Sequence, residues 1–392
     1  MHLGLVLTGG GARSAYQVGA VRALAELAPP GPIPFDVLAG ISAGAINTAA
    51  LASGAEDFRR SAERLAKTWM GLTPASVYRT GTLGLAGIGA RWILGLSSGG
   101  LAGAGGINYL LDASPLRALL AREIPVARIR RHLRSGRLRG VAISATSYQT
   151  GTGVSFFDAA PEVAPWTRAA RVGVRARLTL DHVMASASIP VFFPPVRIGR
   201  AHFGDGCVRM GYPLSPAIHL GADRILAIGV RHQRGPGEPC WRAEPAGAGP
   251  LPISSIAGVL LDSAFLDALD ADTERLERIN RTLSLVPRER LSRGEADVRP
   301  VEALVLRPST DLGQLATGEY RRFPAMLRYL LRGVGAQGRA GADLLSYLAF
   351  EPVYVRRVME LGYRDTLARR GEIERFLRGA AGAGEPAGAL AG

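Results

Sequence analysis

Phe35-Asp36-Val37-Leu38-Ala39-Gly40-Ile41-Ser42-Ala43-Gly44-Ala45-Ile46-Asn47 is the stretch on which the reading of this chain turns. An apolar run, Phe35 to Ala39, gives way to the small-residue pentapeptide Gly40 to Gly44 and then to the apolar, alanine-rich Ile46 to Ala52. Strand, sharp turn and helix in that order place the Ser42 hydroxyl at a nucleophile elbow. Such a turn needs tiny residues two positions to either side of the serine, because a side chain there would collide with the strained backbone and cover the hydroxyl. Gly40 and Gly44 meet that need.

Upstream, Leu3 to Leu7 reads as a strand that runs straight into Thr8-Gly9-Gly10-Gly11-Ala12-Arg13-Ser14. Three glycines let successive backbone N–H groups turn toward one point, the property of a loop that binds negative charge. Downstream, Phe203-Gly204-Asp205-Gly206 sets one carboxylate between two glycines, after the proline-rich run Ser188 to Pro195. It reads as an acid on a flexible, open turn, free to approach another loop.

The chain has 392 residues, enough for a large core and for a main α/β domain with an appendage. The reading divides it into a catalytic domain over 3–231, a Gly/Pro-rich loop over 232–252, a mainly helical region over 253–378 and a disordered tail over 379–392. Strands alternate with helices through the first half, the signature of a mostly parallel sheet covered on both faces. Helical spacing marks Tyr16 to Leu27, Ile256 to Leu283 and Leu344 to Leu367. Gly140 to Thr146 and Gly153 to Phe157 read as a hairpin, and Arg224 to Val230 as a buried strand.

The net charge of +14 is carried almost wholly by arginine, with Lys67 the sole lysine. A GC-rich codon supply and attraction to anionic lipid head groups account for this load about equally well. Nucleic acid is disfavoured, since the arginines are spread along the chain and no base-reading module accompanies them. The run Arg128 to Arg139 reads as a solvated helix face. Cys207 and Cys240 are too few for a disulfide framework, and no CxxC or HxxxH pairing suggests a metal site. The first strand begins at once, without a secretory leader, so a cytoplasmic protein is expected. Trp92 to Leu111 carries no charge over the length of a membrane span, but its six glycines make it a poor helix and favour a cover loop or interfacial segment.

Competing readings of the glycine loop fail on their own terms. A dinucleotide fingerprint requires an acid at the end of the second strand, where Gly40-Ile41-Ser42 stands instead. A P-loop requires Gly-Lys-Ser/Thr, which is absent. The general base for Ser42 is the next question. His182 and His219 sit in apolar helical contexts that favour a packed or capping role, and His2, His132, His202 and His232 read as surface or strand-end residues. Asp205 is the favoured partner.

Here the chain resembles the patatin-like phospholipase family. Gly9-Gly10-Gly11-Ala12-Arg13 resembles its oxyanion loop, Gly40-Ile41-Ser42-Ala43-Gly44 its elbow, and Asp205-Gly206 its acid turn, with Ala185 to Pro195 similar to the run ahead of that acid. Order and spacing agree from residue 3 to about 230. The resemblance implies a three-layer α/β/α fold with a mostly parallel central sheet and a C-terminal helical region. It also implies a Ser42/Asp205 dyad without histidine, an oxyanion hole built from the 9–13 backbone, and hydrolysis of lipid esters without metal or organic cofactor. Two positions depart from the family pattern: Ser14 stands where its loop closes with glycine, and Cys207 where its acid turn has glycine or alanine. They motivate the rival reading, a catalytically silent lipid-binding scaffold. Arg13 is expected to steady the loop, meet a phosphate or lie at the surface. The expected partners are a lipid or ester substrate and, peripherally, an anionic membrane face.

Overall fold

The computed structural model describes residues 1–79, 109–232, 256, 258–260, 262–263, 268–287, 298–316, 328 and 346–381. In chain order the elements begin with β1 (Leu3–Leu7), α1 (Ala15–Leu27), β2 (Val37–Ile41), α2 (Ala43–Ser53), α3 (Phe58–Met70), α4 (Pro74–Val77), α5 (Ser114–Glu123) and α6 (Ala127–Arg134). They continue with β3 (Gly140–Ser147), β4 (Gly153–Ala159), β5 (Trp166–Arg168), β6 (Arg171–Arg175), α7 (Leu180–Ser186), β7 (Val196–Ile198), β8 (Ala201–Asp205) and α8 (Ser215–His219). Last come β9 (Arg224–Ile228), α9 (Ala268–Ser284), β10 (Glu302–Leu306), α10 (Leu312–Ala316), α11 (Pro352–Ala368) and α12 (Arg370–Ala381).

β1, β2 and β9 are near-continuous apolar runs rather than alternating ones, because both of their faces are buried. They sit centrally in one sheet of order β10-β9-β1-β2-β3-β4-β6-β5, with β8 antiparallel to the end of β3 and β7 antiparallel to β8. From β10 to β3 every neighbouring pair is parallel. The chain leaves β1 toward β2 and β3 and later returns on the other side to β9 and β10. Strand order therefore reverses at β1, and such a reversal opens a crevice beyond the carboxyl ends of the strands.

Side chains alternate between the two faces, so one sheet serves two cores. Leu5, Leu38, Ile143, Leu226 and Leu306 pack toward α1, α2, α3 and α11. Val6, Ala39, Ala142, Ala227 and Val305 pack toward α8 and α9. This is the three-layer α/β/α architecture expected from the sequence.

The C-terminal region also contributes a strand, β10, which pairs in register with β9 from Glu302↔Arg224 to Leu306↔Ile228. The helical spacing of Ile256 to Leu283 and Leu344 to Leu367 predicts a mainly helical region, and five residues, Glu302–Leu306, are too few to show a strand against it. The helix expected over Leu344 to Leu367 is interrupted: Ala349 and Phe350 are not helical, and α11 starts at Pro352, whose fixed φ suits a first helical turn. α12 extends to Ala381, three residues into the stretch read as a tail. Cys240, the 233–252 part of the Gly/Pro-rich loop, the tail from 382 onward and the stretch Trp92 to Leu111 as far as position 108 lie outside the described residues. No helix among the described residues is long and apolar enough to cross a membrane.

α11 lies directly against α1 through a reciprocal pair of helix glycines. A Cβ at Gly19 would run into the Met359 carbonyl, and one at Gly362 into the Tyr16 carbonyl. Backbone cannot yield as a side chain can, so Gly19→Ala is expected to destabilise by at least the ~1–3 kcal/mol of ordinary overpacking. Urea unfolding of the two proteins measures it, and an unchanged midpoint would mean that the helices do not cross this closely.

Candidate active site

β2 ends at Ile41 and α2 begins at Ala43, leaving Ser42 between them with φ 56° and ψ −131°. A positive φ is strained for a residue with a Cβ and persists only where its surroundings impose it. Here they do. The Ser42 amide donates to Ser186 Oγ at 2.9 Å, and Ser186 Oγ donates to the Ser144 carbonyl at 2.6 Å. The elbow glycines are required for room: a Cβ at Gly44 would strike the Leu7 and Thr8 carbonyls, and one at Gly40 would strike Thr48 Oγ1 and the Gly44 carbonyl.

Asp205 is the last residue of β8, paired with Ala145 of β3. The expectation of a flexible, open turn is corrected, because Asp205 is fully buried at 0% exposure and held at every polar atom. Its amide donates to the Ser188 carbonyl at 2.8 Å, and its carbonyl accepts from Thr146 Oγ1 at 2.8 Å. The carboxylate accepts from the Cys207 amide at 2.9 Å through Oδ1 and from Ser42 Oγ at 2.5 Å through Oδ2. Burial raises this carboxyl to about 7, against the opposing effect of the hydrogen bonds from Ser42 and Cys207. The following Gly206 leaves room for the Ser144 carbonyl, which a Cβ would meet.

The loop after β1 closes over the same point. Gly9 lies so near that a Cβ would meet Cys207 Sγ and crowd Ser42 Cβ. Gly11 has φ +54° and opens a short 3-10 turn through Ser14, with the Arg13 amide bonded to the Gly10 carbonyl at 3.1 Å. The amides of Gly10, Gly11 and Ala12 donate to no acceptor among the described residues. Arg13 is buried: Nε donates to Ser346 Oγ at 2.6 Å, and its guanidinium carbon lies 4.6 Å from the Tyr347 ring centroid. Of the expected positions, the surface one is corrected, because Arg13 is buried among Ser346 and Tyr347. Ser14 and Cys207, the two departures, are both buried, and the Cys207 amide still serves Asp205.

Sequence reasoning missed two supports. Ser186 is one. The other is a buried amide relay: Gln17 Nε2 donates to the Thr8 carbonyl at 2.7 Å, Asn47 Nδ2 to Gln17 Oε1 at 3.0 Å, and Trp69 Nε1 to Asn47 Oδ1 at 2.8 Å. It ties the start of the glycine loop to α2 and α3. Asn47 amid the apolar run Ala45 to Ala52 was its one visible signal, since a buried amide demands partners. The histidines stay apart from the dyad. His182 accepts from the Thr179 amide at 3.1 Å as part of a cap, and His219 stacks on Trp166 at 4.6 Å. His132, read as a surface residue, is instead buried, with Nε2 3.0 Å from Glu56 Oε2.

In front of Ser42 lies a narrow cavity walled by Ile46, Trp69, Leu116, Leu120, Ile189 and Phe350 among others, with Gly11 and Ala43 beside the serine. Its lining is almost wholly apolar. Ser186→Ala is expected to leave the Ser42 amide buried without an acceptor, a loss of about 1–3 kcal/mol. Thermal melts read that loss, and an unchanged melting temperature would show that the amide finds another partner.

A mostly parallel α/β/α sheet whose second strand delivers a serine directly onto a buried aspartate, with no histidine bonded to either, defines an α/β class distinct from proteins that place a histidine between the two. The chain belongs to the patatin-like phospholipase family, whose sequence model matches residues 5–218. Among solved structures it is similar to human GIVD cytosolic phospholipase A2 in complex with a methyl γ-linolenyl fluorophosphonate inhibitor, at 14% identity and a TM-score of 0.43 over 97% of this chain and 60% of that one. It is also similar to VipD from Legionella pneumophila, at 14% identity and a TM-score of 0.31 over 92% of this chain and 67% of that one. The chain thus spans about 60% of the length of the human enzyme. A search of curated protein sequences gives no match.

Proposed function

We propose that the protein is a lipid acyl hydrolase that cleaves carboxylic esters of phospholipids, lysophospholipids or acylglycerols through a Ser42 acyl-enzyme. The observation that carries this reading is the 2.5 Å hydrogen bond from Ser42 Oγ to Asp205 Oδ2 at the mouth of an apolar cavity. As Ser42 Oγ attacks the ester carbonyl, Asp205 accepts its proton, and a carboxyl near 7 is far better matched to that task than one at 3.8. The carbonyl oxygen becomes an oxyanion, met by the amides of Gly10, Gly11 and Ala12, with the N-terminal end of α2 adding partial positive charge. The alcohol leaves with the proton. Water then attacks the acyl-enzyme with Asp205 again as base, releasing the fatty acid and restoring Ser42.

The apolar cavity receives the acyl chain, which excludes water from the reacting ester. No step calls on a metal or an organic cofactor. The net charge of +14, carried almost wholly by arginine, supports peripheral contact with anionic membranes.

The test is incubation of the protein with phosphatidylcholine and phosphatidylglycerol vesicles, with mass-spectrometric detection of free fatty acid, beside labelling with an alkyl fluorophosphonate. Fatty acid release and a tag on Ser42 are expected. A protein that binds the vesicles but releases nothing and takes no tag is the silent scaffold instead.

A further inference from the structure

The family match ends at residue 218, yet one wall of the site is built by the short segment from Ser346 to Phe350. Ser346, Tyr347 and Phe350 are buried at 0%, 2% and 8% exposure. Three contacts join them to the site. Ser346 Oγ accepts from Arg13 Nε at 2.6 Å. The Tyr347 carbonyl occupies the place a Cβ on Gly11 would take. The Phe350 ring enters the cavity that holds Ser42, 6.5 Å from the ring of Trp69.

The segment is itself held from both ends. Tyr347 Oη donates to Asp262 Oδ1 at 2.8 Å, and that carboxylate lies 3.7 Å from Arg13 Nη1, so cation, ring and acid brace one another. Beyond Phe350, α11 begins at Pro352 and packs on α1 through the Gly19 and Gly362 crossings described above. α1 follows the glycine loop directly. The loop is thus fixed at its far end by a part of the chain that lies beyond the residues matching the family's sequence model.

We propose that residues 346–350 are the specificity-determining and loop-positioning element of this site. Phe350 limits the length of acyl chain the cavity accepts, and Ser346 and Tyr347 position the oxyanion loop through Arg13 and Gly11. The inference rests on the acyl-hydrolase reading and adds to it the residue that selects among substrates. Phe350 and Trp69 wall the same cavity as Ser42, so the Phe350 ring takes space that an acyl chain seated there would otherwise fill. Removing the ring frees that space. Ser346 touches no reacting atom, so its loss acts on the barrier through the loop and not on the seating of the chain.

The experiment uses the full chain and a series of p-nitrophenyl esters from butanoate to dodecanoate, with the rate of Ser42 labelling by short and long alkyl fluorophosphonates measured in parallel. Phe350→Ala is expected to move the optimum to longer chains, with kcat/KM gaining about fourfold per additional methylene seated. Phe350→Leu, which removes less of the buried side chain and so disturbs folding less than alanine, is expected to move it the same way by less. Ser346→Ala is expected to lower kcat about tenfold, with KM and the chain-length optimum unmoved. Chain-length profiles of both Phe350 variants that parallel the wild type, or a Ser346→Ala effect confined to KM, overturn the proposal. A wild type that labels at Ser42 and hydrolyses esters while the variants show no such change refutes the inference alone. A wild type that neither labels nor hydrolyses any ester refutes the hydrolase reading and this inference with it.

Discussion

Ser42→Ala and Asp205→Asn are each expected to lower ester turnover by at least ~10³-fold, since residues that act as one catalytic unit lose most of the rate when either is removed. The two variants fail for different reasons. Alanine deletes the attacking oxygen. Asparagine keeps the shape of Asp205 and can still accept from the Cys207 amide, but it cannot take the serine proton. In the wild type the base must be ionised, and burial holds its carboxyl near 7, so kcat/KM is expected to rise with pH up to about that value and then level. The same burial sets the sign of a stability effect. Well below pH 3.8 the carboxyl is protonated in folded and unfolded chains alike. Between 3.8 and about 7 the unfolded chain releases the proton while the folded one keeps it, so stability falls as pH rises, and the full penalty stands above 7. Asp205→Asn is therefore expected to raise the melting temperature at pH 8 by more than it does at pH 3, where both states are protonated. Turnover retained by Asp205→Asn, or a melting difference that is the same at both pH values, would remove Asp205 from the role of base.

The parts of this site that were legible in the sequence are those whose chemistry is local. Ser42 between Gly40 and Gly44 announces a turn whose crowding any reader can compute, and the run Gly9 to Gly11 announces a backbone without side chains. The parallel strands were equally plain, because Leu3 to Leu7 and Arg224 to Ile228 are buried on both faces and carry the continuous apolar runs that such burial selects. What stayed hidden depends on long-range partners. Asp205 looked exposed between two glycines, yet pairing of β8 with β3 buries it, and no feature of Phe203 to Gly206 encodes that pairing. Ser186 became a support only once α7 met the elbow. Gly19 and Gly362 carried a signal that went unread: a glycine inside a helix costs stability unless something approaches it closely. The Arg13 contacts span the chain to Ser346, and no periodicity reports a bond across that separation.

Gly11→Ala tests the loop as sharply as the dyad variants test the pair, with an expected fall in kcat of about 10²-fold. Two obstacles meet a Cβ there. At φ +54° an alanine is strained whatever the space, and the space is taken by the Tyr347 carbonyl, backbone that α11 anchors. The chain must rotate away, and the Gly10, Gly11 and Ala12 amides then miss the place where negative charge develops. Loss of one such donor costs on the order of 3 kcal/mol in the barrier, which is the expected hundredfold. Substrate seating depends on the cavity wall, so KM is expected to hold within a few-fold. Gly31→Ala supplies the control, because Gly31 also has a positive φ, +127°, but nothing lies within 4 Å of its absent Cβ. Strain alone would affect stability at both positions, whereas only the residue facing the serine should change turnover. If Gly11→Ala and Gly31→Ala lowered kcat alike, or Gly11→Ala kept full activity while folded by circular dichroism, the glycine amides would not be the groups that receive the oxyanion.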